Sequence, residues 1–428
     1  MAFYGDDFTG STDALEFISQ AGAQAMLFIQ PPSATQLLQY PGLNAIGVAG
    51  ATRSLSPEEM EEELLPAFRK LKAIGAKHIH YKVCSTFDSS ATTGSIGKAM
   101  DTGQQIFAGQ PTPVLGGMPA LGRYCVFGNL FAKMGIGSNG AIYRLDRHPS
   151  MMHHPVTPAD ESDLILHLQK QTDKKGFLID IIQQAKPVEQ WTQAISTSHE
   201  FVLLDALHEE DLLKTGEWLD TQNISQPQLF SIGSSGIELA LGKYWNAAGI
   251  LQPVTEWPDP GEADPLLVVS GSCSPVTKNQ IQYAGKNEFH LIELNASATA
   301  EDMIDLTTII NEVKDRLQKK KHVLVHTGAR QSTNLSSQKL GSALGLIAKA
   351  AAEADLTRRV IIAGGDTSSY AARAMDVEAV AMIAPLVHGA PLCRAFSANR
   401  SIDGLQVNFK GGQVGAEDYF QLCVRGKK

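Results

Sequence analysis

Short apolar runs that end in loops of small and polar residues, then give way to helical spacing, recur from one end of this chain to the other. No other feature limits the fold as much. Val360-Ile361-Ile362-Ala363 passes into Gly364-Gly365-Asp366-Thr367-Ser368-Ser369, and Val268-Val269 passes into Ser270-Gly271-Ser272-Cys273-Ser274-Pro275. Such alternation is the pattern of a parallel sheet with helices on its faces. Strands are predicted at Met1 to Tyr4, Gln24 to Ile29, Leu43 to Ala49, His78 to Lys82, Phe177 to Ile182, Phe201 to Asp205 and Gln228 to Ile232. Four more are predicted at Leu266 to Ser270, His290 to Leu294, His322 to His326 and Arg359 to Ala363. A chain of 428 residues is too long for one ordinary core. The stretch from Leu251 to Pro265 is rich in proline and acid and has no periodicity, as a linker would. The expected fold class is therefore α/β, with two domains, each a largely parallel sheet flanked by helices, and an interdomain cleft. The expected boundaries are 1–250 for the first domain, 251–265 for the linker and 266–428 for the second domain. No sequence repeat links the two halves.

Helix starts are marked by their caps. Ser56-Pro57-Glu58-Glu59 combines an N-cap serine, proline at the first helical position and glutamate three residues after the cap. Thr157-Pro158-Ala159-Asp160 suggests a second start of this kind, running on through Leu164, Ile165 and Leu168, and Ser274-Pro275 a third. At the amino end, Asp6-Asp7-Phe8-Thr9-Gly10-Ser11-Thr12-Asp13 follows a four-residue apolar lead-in and precedes Ala14, Leu15, Phe17, Ile18 and Ala21 at helical spacing. Strand, polar loop, helix is the expectation, with the loop at a carboxyl strand end where α/β proteins bind ligands. Two readings of the paired carboxylates stand side by side: one faces a ligand, or one caps the helix. The lead-in is shorter than the five or six residues usual for a buried strand, and a displaced or truncated start is one reading of that.

Composition excludes several classes. Hydrophobic residues make up 43% and charged residues 19%, as in ordinary globular proteins. The net charge of −9 and the lack of a basic stripe interleaved with aromatics argue against nucleic acid as a partner. No run of 18 apolar residues occurs, so no membrane span is expected, and the acidic start does not resemble a signal peptide. Five dispersed cysteines, Cys84, Cys125, Cys273, Cys393 and Cys423, contain no Cys-x-x-Cys pair. A zinc site or disulfide framework is not expected, and the expected compartment is reducing and cytoplasmic. His153 and His154 lack the i, i+4 spacing of a metal-binding helix. The sequence leaves the oligomeric state open, with a homodimer the commonest assembly of soluble chains.

The loops after Val269 and Ala363 put small residues and a helix amino end where a phosphate could reach backbone N–H groups. Neither matches the Walker or Rossmann fingerprint. A tight turn into a capped helix accounts for either loop equally well.

Six segments in order resemble the four-carbon acid sugar kinase family, long known only as a domain of unknown function. They are Asp6 to Asp13, Lys82-Val83-Cys84-Ser85-Thr86-Phe87-Asp88-Ser89, His154-Pro155-Val156-Thr157-Pro158, Ser270 to Ser274, Gly364 to Ser368, and Lys410-Gly411-Gly412-Gln413-Val414-Gly415. The resemblance implies a sugar-acid-binding first domain and an ATP-binding second domain. It also implies transfer of phosphate to the terminal hydroxyl of a tetronate, a 3-oxo-tetronate or a relative such as 3-oxo-isoapionate. ATP contacts are implied at Ser272 or Ser270, at Gly364, Gly365, Asp366 and Thr367, and at Gly411 and Gly412. Many relatives have Ser-Gly-Asn where this chain has Gly411-Gly412-Gln413.

Such a transfer needs alignment, charge neutralisation and a carboxylate to take the hydroxyl proton. Asp7 is the candidate base and Asp6 the alternative, because neighbours in extended chain point to opposite sides. Thr9 and Gly10 are expected to contact the substrate. Arg53 and Lys82 are candidates for its carboxylate, with a solvated surface charge the plain alternative for each. Ser85 and Thr86 could contact hydroxyls, and the resemblance implies donors at Arg147 and His154 in a closing loop. Mg2+ is expected on the phosphates, held by Asp366 or by one of the Asp6/Asp7 pair. No spatially paired histidine can be named for Cys84 or Cys273, so both are expected to be packing residues. The rival readings are a kinase for a neutral sugar or polyol, and a nucleotide-dependent binding protein without catalysis.

Overall fold

The computed structural model describes residues 1–134, 140–154, 156–221, 227–294, 306–328 and 336–427. They form two units. The first comprises Met1–Asp6, Phe17–Ala25 and Pro31–Val254; the second comprises Asp7–Glu16, Met26–Gln30 and Thr255–Lys428. The described strands, in chain order, are β1 (Ala2–Gly5), β2 (Ala25–Phe28), β3 (Ala45–Ala49), β4 (His78–Lys82), β5 (Thr112–Leu115), β6 (Arg123–Val126), β7 (Asn129–Lys133), β8 (Ile142–Arg144) and β9 (Gly176–Ile179). They continue with β10 (Phe201–Leu204), β11 (Leu229–Gly233), β12 (Leu266–Ser270), β13 (Phe289–Glu293), β14 (His322–His326), β15 (Arg359–Ala363), β16 (Ala379–Val387), β17 (Ala390–Phe396) and β18 (Gln406–Lys410).

In the first unit the strand order is β3-β1-β4-β11-β5-β10-β9, and every neighbouring pair is parallel. Strands β1, β3 and β4 are buried along their whole length, as a parallel sheet covered on both faces requires. The chain passes from β3 to β4 across β1, so the strand order reverses at β1. Its carboxyl end is therefore a switch point, the usual ligand position in such sheets. The core beside it packs Tyr4, Phe68, Tyr81, Phe107 and Phe230, with Phe68 edge-on to the other four rings. The helix Pro57–Ile74 supplies Phe68 and begins with the expected capping box between Ser56 and Glu59. A separate antiparallel sheet, β6-β7-β8, has its first turn pinned by Asp205, whose carboxylate accepts the N–H groups of Phe127 (2.6 Å) and Gly128 (3.0 Å).

In the second unit the order is β13-β14-β12-β15-β18-β17-β16-β2. The first five strands are mutually parallel and the last three join antiparallel. Here β12 is the switch strand, flanked by β14 and β15. The helix after it, Pro275–Lys286, is capped by Ser274 with proline at its first position, as expected. The segment Asp7–Glu16 belongs to this unit, and the rings of Phe8 and Phe409 lie 4.4 Å apart.

The α/β class, with two units that each carry a largely parallel sheet, agrees with the reading of the sequence. Three local expectations need correction. No helix starts at Thr157: the helix Leu164–Gln169 is capped by Asp163, whose carboxylate accepts the Ile165 and Leu166 N–H groups. The strand expected to reach Ile182 stops at Ile179, because Asp180 caps the short helix Ile181–Gln184. Strands β5 to β8 and β16 to β18 were not predicted. Pro155 lies outside the described residues. Among the described residues no helix is long and apolar enough to cross a membrane.

Candidate active site

In the first unit the sheet register aligns three strand ends, since Gly5 pairs with Ala49 on one side and with Lys82 on the other. The chain beyond β1 is held between its neighbours: Asp6 N–H donates to the Lys82 carbonyl (2.8 Å) and Arg53 N–H donates to the Asp6 carbonyl (3.0 Å). The side chains repeat the connection. Arg53 grips Asp6 through Nε (3.0 Å) and Nη2 (2.7 Å), the two-pronged geometry that suits a guanidinium and a carboxylate. Asp6 is almost buried, while the Arg53 side chain keeps 28% of its exposure. Lys82 is also buried, so neither cation is a solvated surface charge.

The loop after β4 continues the site. Arg123 Nε donates to Ser85 Oγ (3.1 Å), and Cys84 Sγ lies 3.1 Å from Thr86 Oγ1. Burial, with Asp88 next, pushes the Cys84 thiol up to about 11, so it stays protonated at neutral pH. Arg123 is nearly buried beside His148, whose ring is held below its ordinary value by burial and then by Arg123. Sequence reading passed over Arg123. Its only signal was a basic residue within an apolar stretch, since the hairpin that delivers it was not predicted.

The residues expected in a closing loop are arranged differently. Arg147 is largely exposed and leans on Asp146 at 3.5 Å, while Arg144 holds that carboxylate bidentately. His154 Nδ1 accepts the Thr157 N–H (3.1 Å), which leaves the proton of the neutral ring on Nε2. Among the described residues no recorded hydrogen bond or ion pair joins Arg147 or His154 to Asp6, Arg53 or Lys82.

Asp7, Thr9 and Gly10 belong to the second unit. Asp7 Oδ1 accepts the Gly10 N–H (2.7 Å) and Oδ2 accepts from Thr9 Oγ1 (3.0 Å), so Asp7 caps the helix Phe8–Gln20. The capping alternative thus describes what Asp7 does in this structure. A Cβ at Gly365 would lie 3.9 Å from both Asp7 Oδ2 and Thr9 Oγ1, which places this turn at the Gly364-Gly365 loop.

Three loops meet there, after β12, β15 and β18. Ser270 pairs with Ala363 and Ala363 with Lys410, so the strands end level. Gly271 N–H donates to the Ala363 carbonyl (3.1 Å) and Gly364 N–H to the Lys410 carbonyl (2.8 Å). Gly364 has φ of +122°, where an L side chain is strained, and a Cβ there would meet Thr367 Oγ1 at 2.8 Å and Ser272 N at 3.3 Å. A Cβ at Gly412 would lie 3.0 Å from Ser272 Oγ. The helix Gly365–Ala374 starts from this cradle, with Asp366 exposed in its first turn and Thr367 buried beneath the loop. Bare backbone, small side chains and a helix amino end together suit a phosphate chain. Ser270 Oγ is buried at the end of β12 and has no hydrogen-bond partner among the described residues.

The structure therefore brings Ser270, Ser272, Gly364, Gly365, Asp366, Thr367, Gly411 and Gly412 together with Asp7, Thr9 and Gly10 in one unit. It brings Asp6, Arg53, Lys82, Ser85 and Thr86 together in the other. Among the described residues no cluster of three or more His, Cys, Asp or Glu could hold a metal alone. Mg2+ on a nucleotide needs only one or two carboxylates besides phosphate oxygens, so Asp366 remains compatible with it.

Comparison with known proteins extends this picture. Residues 1–241 match a family model described as a sugar-binding N-terminal domain, and residues 267–420 one described as a nucleotide-binding C-terminal domain. The chain is 37% identical, over its full length and 94% of the relative's, to a 3-oxo-isoapionate kinase of Paraburkholderia graminis. It is 26% identical to a 3-oxo-tetronate kinase of Salmonella typhimurium, covering 98% of this chain and 97% of the relative. Among solved structures, a Salmonella typhimurium LT2 protein superposes with a TM-score of 0.79 at 24% identity, over 100% of this chain and 99% of the other. A Haemophilus influenzae protein does so at 0.72 and 20%, covering 99% and 98%. At those identities the structures speak for the fold alone.

Proposed function

The chain belongs to the four-carbon acid sugar kinase family, and from that premise we propose that it phosphorylates the terminal hydroxyl of a four-carbon sugar acid, a tetronate or 3-oxo-tetronate, or a close relative such as 3-oxo-isoapionate. The observation that carries the proposal is the cradle of three level strand ends, where bare backbone at Gly364 and Gly412 lets the loops close on one another and present small residues and a helix amino end to a phosphate chain. When bound there, ATP supplies the γ-phosphoryl group and Mg2+, with Asp366 as its candidate ligand, neutralises phosphate charge.

The chain's own residues have separate tasks. The loops after β12, β15 and β18 fix the nucleotide through N–H groups and the hydroxyl of Ser272. Asp7 takes the proton from the attacking hydroxyl; its place beside the Gly365 loop favours it over Asp6, whose basicity is lowered by the paired Arg53 guanidinium. Lys82 and Arg53 attract the substrate carboxylate, Ser85 and Thr86 contact hydroxyls, and Arg147 and His154 act as donors from their loop. Holding both reactants in line supplies most of what this reaction needs from a protein.

ADP release is the test, measured with Mg-ATP over tetronates, 3-oxo-tetronates, 3-oxo-isoapionate and neutral four-carbon polyols against an enzyme-free control. We expect turnover confined to the acids, and 3-oxo-isoapionate is the first to try given the 37% relative. Turnover of the polyols, or none across the panel, would overturn the proposal.

A further inference from the structure

The third phosphate loop rests on a buried cation. Lys410 is the last residue of β18 and is fully buried. Its Nζ donates to Thr277 Oγ1 (2.9 Å) and to the Gly411 carbonyl (3.0 Å), and the Thr277 hydroxyl donates in turn to the Gly412 carbonyl (2.9 Å). Two consecutive carbonyls are thus drawn inward. In a trans peptide the C=O and the N–H point in opposite directions. The N–H groups of Gly412 and Gln413 share those planes and so face outward, where Gly412 is half-buried and Gln413 exposed. Neither N–H donates to another described residue. Successive outward N–H groups form a nest for an anion.

Stability does not explain the cation. No ion pair of Lys410 is recorded among the described residues, and burial draws its ammonium down to about 7. Besides Thr277 it faces the ring of Tyr419, at 5.5 Å, and the thiol of Cys423. A buried ammonium without a carboxylate costs stability that an apolar residue of similar length would not.

We propose that Lys410, acting with Thr277, is a positioning residue that turns the Gly411–Gln413 peptides so that their N–H groups bind the nucleotide's phosphates. The inference rests on the nucleotide reading of this unit and adds to it a residue that need not touch the ligand.

The test compares the wild type with Lys410→Met and Thr277→Val in ATP affinity by calorimetry without sugar acid, the KM of each substrate, and denaturant stability at pH 7. Lys410→Met is expected to weaken ATP binding and raise KM for ATP by about tenfold or more. KM for the sugar acid should stay within about twofold, and stability should equal or exceed that of the wild type. Thr277→Val should weaken ATP binding by roughly threefold to tenfold, and it carries the test alone if Lys410→Met fails to fold. A folded variant with unchanged ATP affinity overturns the inference, as does a loss of affinity for both substrates alike. A wild-type chain that binds no ATP removes the nucleotide reading and this inference together, whereas wild-type binding with indifferent variants removes the inference alone.

Discussion

At the residue scale, the two adjacent aspartates have been given different partners by the fold. Asp6 is held by Arg53 through two hydrogen bonds, and Asp7 caps a helix through Gly10. Capping and proton abstraction by Asp7 can be separated, because asparagine caps a helix about as well as aspartate but is no base. Asp7→Asn should leave the denaturation midpoint and ATP affinity near wild type while cutting kcat by at least about two orders of magnitude. ATP affinity lost in step with turnover would place Asp7 in the nucleotide site instead. Asp7→Ala should add a stability loss of about 1 kcal/mol from the missing cap, visible in a urea titration.

At the scale of elements, the proposed phosphate cradle depends on strand ends that are level and on glycines that let their loops touch. Gly364 and Gly75 both have positive φ, but their surroundings differ. A Cβ at Gly364 meets Thr367 and Ser272, whereas one at Gly75, after the helix Pro57–Ile74, meets nothing within 4 Å. Gly75→Ala should cost only the left-handed backbone penalty of about 1 kcal/mol and leave kinetics unchanged. Gly364→Ala should cost about 1–3 kcal/mol and also raise KM for ATP, since relief of the clash moves the loop. Equal stability losses with no kinetic difference between the two would deny the cradle its role.

At the scale of the whole molecule, Lys410 links the site to overall stability. Burial lowers its ammonium from the ordinary 10.5 to about 7, so between those values the unfolded chain holds a proton that the folded chain has released. Unfolding then takes up a proton, and stability rises with pH across that window; below pH 7 both states are protonated and the penalty is constant. Burial also pushes the neighbouring Cys423 thiol up to about 12 and raises Tyr419, so both stay neutral there. Midpoints measured from pH 6.5 to 9.5 should therefore climb more steeply for wild type than for Lys410→Met, and parallel curves would contradict the buried cation. Most strands that place the two sites, though not β18, were legible in the sequence because a parallel strand buried on both faces is a continuous apolar run, as in Val360 to Ala363. The start at Ser56 was legible because a capping box is written in three residues. The hairpins of β6 to β8 and β16 to β18 were not: β6 is four residues long and alternates buried with half-buried positions, and β16 breaks its buried run with half-buried residues and a proline. Nor were the partners: residues 53 and 6, 123 and 85, or 410 and 277 are far apart in the chain and meet only through strand register and packing. By itself the sequence determined the α/β class, most of the parallel strands and which loops carry small or charged residues, because periodicity and capping are local. Only the tertiary structure decided that Asp6 and Asp7 belong to different units and that Lys410 lies buried beneath the loop of Gly411 to Gln413, because burial and pairing depend on which distant segments the sheet brings together.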